Sequence, residues 1–167
     1  PPEIWGAPDA KLHWSRQGEA LILDYEAGSQ YGAGINIFGP AERKLEHGPR
    51  FACDLDGYQF IVIEFSAPKG LQLNVVLAEA GAAAADAGEF DTTAGDDGEA
   101  YISTPVFSSG IRTSERIPIS SLSRQQFFGN RAGKRRIDMQ AVRNLGLQVQ
   151  GTPAVGRVTV YAIGLEK

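Results

Sequence analysis

The sequence predicts an all-β fold, a β-sandwich jelly roll built from two antiparallel sheets. Three observations predict it. Apolar residues recur with a period of two in short runs such as LQLNVVLAEA, GLQVQG and RVTVYAIGLEK, the alternation of a half-buried strand. Those runs are punctuated by 20 glycines and 9 prolines in 167 residues, a density that favours short strands and turns over a helix bundle. Reading the runs in order gives about eight to nine strands, almost no helix and no internal repeat. Residues 1–167 read as a single domain, long enough to bury one sizeable core.

Residues 1–18 (PPEIWGAPDAKLHWSRQG) read as an irregular N-terminal segment that holds both tryptophans, Trp5 and Trp14. These rings either pin the segment by packing or offer a stacking platform, and the sequence leaves both open. EALILDYEAG is a strand, and AGSQYGAG turns the chain into INIF, so Ala20 to Phe38 reads as a hairpin. Residues 39–57 are polar loop, interrupted by Phe51 to Cys53. YQFIVIEFSAP is nearly continuous apolar and β-branched, as expected of a central strand covered on both faces. Pro68 and Gly70 turn the chain, and Leu71, Leu73, Val75 and Leu77 then alternate with Gln72, Asn74 and Val76.

GAAAADAGEFDTTAGDDGEA is a long acidic loop. AYISTPVFSSG and IRTSERIPIS are two further strands, which Pro105 and Pro118 put at edges or strand ends. Residues 121–136 form another loop, and IDMQAVRNL makes a helical turn. GLQVQG and RVTVYAIGLEK, joined by a short Gly-Thr-Pro turn, read as a closing antiparallel pair.

Several function classes find no support. The net charge of −4 argues against a nucleic-acid or anionic-membrane partner, and the basic run Arg131 to Arg136 sits alone in an acidic chain. No apolar run approaches the roughly 20 residues needed to cross a bilayer. Beginning Pro-Pro-Glu without Met, the chain reads as an excised piece, so a missing leader carries no weight. His13 and His47 lie in irregular segments without a G-x-S-x-G motif, and lone Cys53 reads as a small core residue. Clusters of Cys and His for zinc are missing, as are phosphate-binding glycine motifs. No cofactor is expected; the acidic loop is the one place for a structural calcium, though GDDGE lacks the spacing of an EF-hand.

What stands out is a set of amides at outward strand positions: Asn36, Gln72, Asn74, Gln148 and Gln150. An amide both donates and accepts hydrogen bonds, and so do sugar hydroxyls. Aromatic faces suit the apolar C–H side of a pyranose, and Arg or Asp can bind neighbouring hydroxyls. Tyr31, Tyr101, Phe127, Phe128, Arg124 and Asp97 could supply these groups at the rim. A sheet that merely faces water accounts for the amides equally well.

The order of the segments LILDYEAG…YGAGINIF, DGYQFIVIEFSA, LQLNVVLAEAG, DGEAYIS, RIPISSL…Q and IDMQAVRNLGLQVQ…GRVTVYAIGL resembles the family 11 carbohydrate-binding modules. It is similar also to the wider galactose-binding-like jelly rolls, including the CIA30-type domains. The resemblance spans most of residues 20–166 and consists of short strand-and-turn patterns. It implies a non-catalytic module of a bacterial glycoside hydrolase, secreted or on the cell surface. Such a module binds a β-glucan chain in a cleft, β-1,4 or mixed β-1,3-1,4, and targets the linked catalytic domain to polysaccharide. In this resemblance Tyr31 falls on a cleft tyrosine, Asp97 on a ligand-contacting aspartate and Arg124 near a cleft arginine. Phe128 replaces a tyrosine, and Gln148 and Gln150 lie on the closing cleft strand, where a further tyrosine of the family is missing. Arg143 stands where an aspartate is expected. Two other readings remain: a CIA30-type protein-interaction domain, marked by a large apolar patch on the sheet, and a jelly-roll glycosidase or lyase, marked by opposed carboxylates or a base beside an Arg.

Overall fold

A computed structural model describes residues 3–28, 32–38, 55–79, 100–125, 137 and 139–167. Among these residues, twelve strands form two antiparallel sheets that sandwich one core. In chain order they are β1 (Glu3–Gly6), β2 (Lys11–Gln17), β3 (Ala20–Glu26), β4 (Ala33–Phe38), β5 (Phe60–Ser66) and β6 (Gln72–Glu79). Then follow β7 (Ala100–Ile102), β8 (Val106–Phe107), β9 (Thr113–Pro118), β10 (Ser123–Arg124), β11 (Val142–Gln150) and β12 (Val155–Glu166). One sheet has the order β1-β4-β11-β6-β7-β10, with β8 also paired to β6; the other runs β2-β3-β12-β5-β9. The expected helical turn in IDMQAVRNL is a short 3-10 turn at Met139–Ala141, and a second such turn spans Ile119–Ser121. No helix among the described residues is long and apolar enough to cross a membrane.

The sequence alternation decides which side chains enter the core. Leu21, Leu23 and Tyr25 of β3, Ile61, Ile63 and Phe65 of β5, and Val158 and Val160 of β12 point in from one sheet. Ile35, Leu73, Val75, Leu77, Tyr101, Leu147 and Val149 meet them from the other. Each such side chain removed from water contributes about 1.5–3 kcal/mol, and packing of the two faces fixes the sandwich.

Four expectations need correction. Ala20 to Phe38 is no hairpin: β3 pairs with β2 and β12, whereas β4 pairs with β1 and β11 in the opposite sheet. Likewise β11 and β12 do not pair; residues 151–154 carry the chain from one sheet to the other. Period-two alternation says that a strand has a core face, but not which strand lies beside it, so chain neighbours pack across the core as readily as edge to edge. β5 is not buried on both faces either: Ile61, Ile63 and Phe65 are buried, while Val62, Glu64 and Ser66 are only half-buried. Finally, most of residues 3–17 is strand. β1 and β2 add edges to opposite sheets, and Trp14, opposite Leu23, packs against the core.

Of the loops expected at residues 39–57, 81–99 and 121–136, most lies outside the described residues, including Phe51 to Cys53 and the acidic loop proposed for calcium. Among the described residues no group of three or more His, Cys, Asp or Glu is arranged to hold a metal ion.

Candidate functional site

The outward face of the seven-stranded sheet is ordered by strand register. Antiparallel partners place their side chains on the same face, with strands about 4.7–4.9 Å apart. One row runs Gln150, Gln72, Phe107 across β11, β6 and β8. The next runs Trp5, Gly34, Gln148, Asn74 across β1, β4, β11 and β6. A third runs Glu3, Asn36, Gly146, Val76, Ile102, and a fourth Asn144, Ala78, Ala100. Apart from the Glu3 position on the edge strand β1, none of these positions holds an ionisable residue, so the central part of the face offers hydrogen bonds and apolar contact without charge.

The rows are not equally open. In the middle, Asn74, Gln148, Val76 and Ala78 are 2%, 5%, 7% and 3% exposed. Trp5 is one reason. Its indole lies over Gly34, where an added Cβ would collide with the ring, and packs against the Val76, Ala78 and Ala100 cluster. Its Nε1 donates to Asn36 Oδ1 at 3.1 Å. Gly146 completes this arrangement, since a Cβ there would come within 2.8 Å of Asn36 Oδ1.

Asn74 is engaged by the fold at both ends of its amide. Its Nδ2 donates to the Ser103 carbonyl at 2.8 Å, and its Oδ1 accepts from Gln150 Nε2 at 2.9 Å. Gln148 is buried beside it, with interactions of its own.

The first row is the open one. Gln72 and Gln150 are half-buried and Phe107 is 62% exposed. Among the described residues the Gln72 amide has no hydrogen-bond partner; it rests against Gly151, whose φ of +89° and missing Cβ let the chain pass close by. Gln150 spends one N–H on Asn74, and among the described residues its side-chain oxygen has no hydrogen-bond partner. The segment that frames this end is held from inside. The Tyr25 hydroxyl donates to the Pro153 carbonyl at 3.0 Å, Ala27 N–H donates to Ala154 at 2.7 Å, and burial raises the Tyr25 pKa.

No protein-family model matches the sequence, and neither does any curated protein. Solved structures do match. The family 11 carbohydrate-binding module of cellulosomal cellulase Lic26A-Cel5E of Clostridium thermocellum superimposes with a TM-score of 0.69 at 14% identity, over 99% of this chain and 86% of that one. The fold is that of the family 11 carbohydrate-binding modules. A family 11 module from Clostridium thermocellum, in complex with a β-1,3-1,4-mixed-linked tetrasaccharide, gives 0.69 at 13% identity, over 99% of this chain and 88% of that one. The longer chain PfGH50B gives 0.55 at 13% identity, over 95% of this chain and 22% of that one.

On this family 11 fold the expected site residues separate into three groups. Asn36, Gln72, Asn74, Gln148 and Gln150 do share one face, but Asn74 and Gln148 are buried parts of it. Tyr101 and Arg124 do not join them. Tyr101 is opposite Leu77 on the core side with no exposure at all, because β7 turns Ala100 and Ile102 outward instead. Arg124 is opposite Tyr101, so its position also belongs to the core-side parity, with Ser123 on the amide side. Tyr31, Asp97, Phe127 and Phe128 lie outside the described residues. Arg143 is at a bulge in β11, where pairing with β6 shifts register. Of the two described aromatic residues on the face, Trp5 is one the sequence leaves open between packing pin and stacking platform, and Phe107 escaped the sequence reading. The alternation of Val106, Phe107 and Ser108 carried a signal for the second, hidden because the run looked like part of one longer strand.

Proposed function

We propose that this chain is a non-catalytic carbohydrate-binding module that binds a β-glucan chain, β-1,4 or mixed β-1,3-1,4, along the outward face of the seven-stranded sheet. The observation that carries the reading is the open row: a Gln72 amide with no hydrogen-bond partner among the described residues, beside Gln150 and Phe107 in a row without an ionisable residue, on the fold of a module solved with a β-glucan tetrasaccharide. Amides in register meet hydroxyls that both donate and accept, and a row of Gln150, Gln72 and Phe107 without an ionisable residue matches a neutral polymer. The binding groups are Gln72 and Gln150, with Asn36 and Trp5 further along the face and Tyr31, Asp97 and Phe128 contributed by the loops as the resemblance implies.

Its role is targeting. Held on polysaccharide, the module raises the local concentration of a glycoside hydrolase linked to it in a secreted or cell-surface bacterial protein. A fold that makes up 22% of the longer chain PfGH50B is compatible with such an accessory part. Individual sites of this type are weak, since an open row leaves the sugar partly hydrated. The CIA30-type alternative calls for a large apolar patch, and the rows do not favour one: Val76, Ala78 and Ala100 are buried, Ile102 is half-buried and Phe107 is a single exposed ring.

Affinity electrophoresis through gels containing mixed-linkage β-glucan, β-1,4-glucan or an α-glucan tests the proposal. Retardation in one or both β-glucans and none in the α-glucan is the expected result. Free migration in every gel would remove the proposal.

A further inference from the structure

We propose that Phe107 is an additional sugar-stacking position that extends the binding face past the amides, so that the site favours longer glucan chains. This rests on the function proposed above and deepens it.

Phe107 is not a loose aromatic on a loop tip. Val106 packs against the core, and Ser108 is 4% exposed, so strand alternation turns the residue between them outward. Ser108 then fixes the backbone with four hydrogen bonds. Its N–H donates to Leu71 at 2.9 Å and its hydroxyl to Ala67 at 2.8 Å. Its carbonyl accepts from Gly70 N–H at 2.8 Å, and its Oγ accepts from Gly110 N–H at 3.1 Å. The result is a ring held in water on a rigid mount, with only two side-chain torsions left to order when a ligand arrives.

Register supplies the ligand chemistry. Phe107 is opposite Gln72, and Gln72 is opposite Gln150, all on one face. The three strands span about 10 Å. A trisaccharide seated on the two amides and on the Asn36 and Trp5 side of the face stops short of the ring, whereas a longer chain reaches past Gln72 and lays a further pyranose, C–H face down, on Phe107. Among the described residues the other exposed large apolar side chains, Ile4, Ile111 and Val155, have no flat face to offer. A neutral, equatorially substituted glucan, with one apolar ring face and hydroxyls at its rim, fits this sequence of groups.

Isothermal titration of wild type, Phe107→Ala, Phe107→Trp and Gln150→Ala with a mixed-linkage trisaccharide and hexasaccharide tests it. Wild type is expected to prefer the hexasaccharide. Phe107→Ala is expected to lose about 2- to 12-fold on the hexasaccharide and little on the trisaccharide. Phe107→Trp is expected to keep the length preference and change its fluorescence on binding. Gln150→Ala is expected to weaken both ligands. Unchanged affinities in Phe107→Ala, or an equal loss at both lengths, would overturn the extra subsite while leaving the sugar-binding function standing. Failure of wild type to bind any β-glucan would overturn both.

Discussion

Gln72 and Asn74 lie two residues apart on β6 and face the same way, yet they have opposite fates. Asn74 is buried with donor and acceptor both engaged, and Gln72 is half-exposed with its amide unengaged among the described residues. Replacing Asn74 by Leu leaves the Ser103 carbonyl and one Gln150 N–H without their partner. The expected cost is about 1–3 kcal/mol, read as a lower denaturation midpoint at unchanged slope. Gln72→Ala should stay within about 0.5 kcal/mol of wild type, as a surface change does. Equal destabilisation by the two would contradict the division of the face into a structural middle and an open end. Gly34 gives a second residue-scale test. Gly34→Val drives a side chain into the space of the Trp5 indole, so in a Trp14→Phe background the remaining fluorescence should shift to longer wavelength as Trp5 moves into water. An unshifted spectrum would mean that Trp5 does not lie on Gly34.

At the scale of elements, the outer face of the five-stranded sheet contrasts with the amide face. Exposed cross-strand pairs run along it: Arg157 bridges Asp24 through both carboxylate oxygens at 2.6 and 3.1 Å, Arg112 reaches Glu64 at 2.6 Å, and Arg116 reaches Glu166 at 2.6 Å. Arg112 also stacks on Tyr161 at 4.0 Å, and Arg116 on Phe60 at 3.2 Å. The hydrogen bonds from Arg157 and Arg112 hold the Asp24 and Glu64 carboxyls below their ordinary range. A lowered folded-state pKa means that the folded state binds its proton less readily than the unfolded chain. The stabilisation is therefore complete above the unfolded pKa and is lost as pH falls through the folded one. Melting temperature should decline as pH drops below about 4, with a shallower decline in the Asp24→Asn, Glu64→Gln double variant. The effect is small and shrinks in high salt, because these groups are exposed. Identical pH profiles for the two proteins would show that the pairs contribute nothing.

For the whole molecule, the fold class was legible because alternation such as Leu71, Leu73, Val75, Leu77 against Gln72, Asn74, Val76 encodes a core face directly. Pairing was not. The Gly-Thr-Pro segment after Gln150 looks like a hairpin turn in isolation, and only the packing of two sheets makes it a crossing between them. The amide face was legible as a face, since Asn36, Gln72, Asn74, Gln148 and Gln150 do come together, but not its depth. Burial of Asn74 and Gln148 depends on what lies over the sheet, and Trp5 arrives there from a strand 31 residues away from Asn36 in sequence. Tyr101 misled because AYI is too short a run for its parity to be read; register with Leu77 turns it inward. Because the row of Gln150, Gln72 and Phe107 holds no ionisable group, glucan affinity should be flat from about pH 5.5 to 8, where carboxylates stay charged.

The claim on which the account turns is that the Gln72 and Gln150 amides hold a β-glucan. The most direct measurement is titration of a mixed-linkage β-glucan hexasaccharide into wild type and into Gln72→Ala, Gln150→Ala, with the melting temperature of each recorded in the same buffer. The account predicts that wild type binds and that the double variant, folded and melting close to wild type, loses at least tenfold in affinity, about 1.4 kcal/mol for two hydrogen-bonding groups. A folded double variant that binds as tightly as wild type would contradict it.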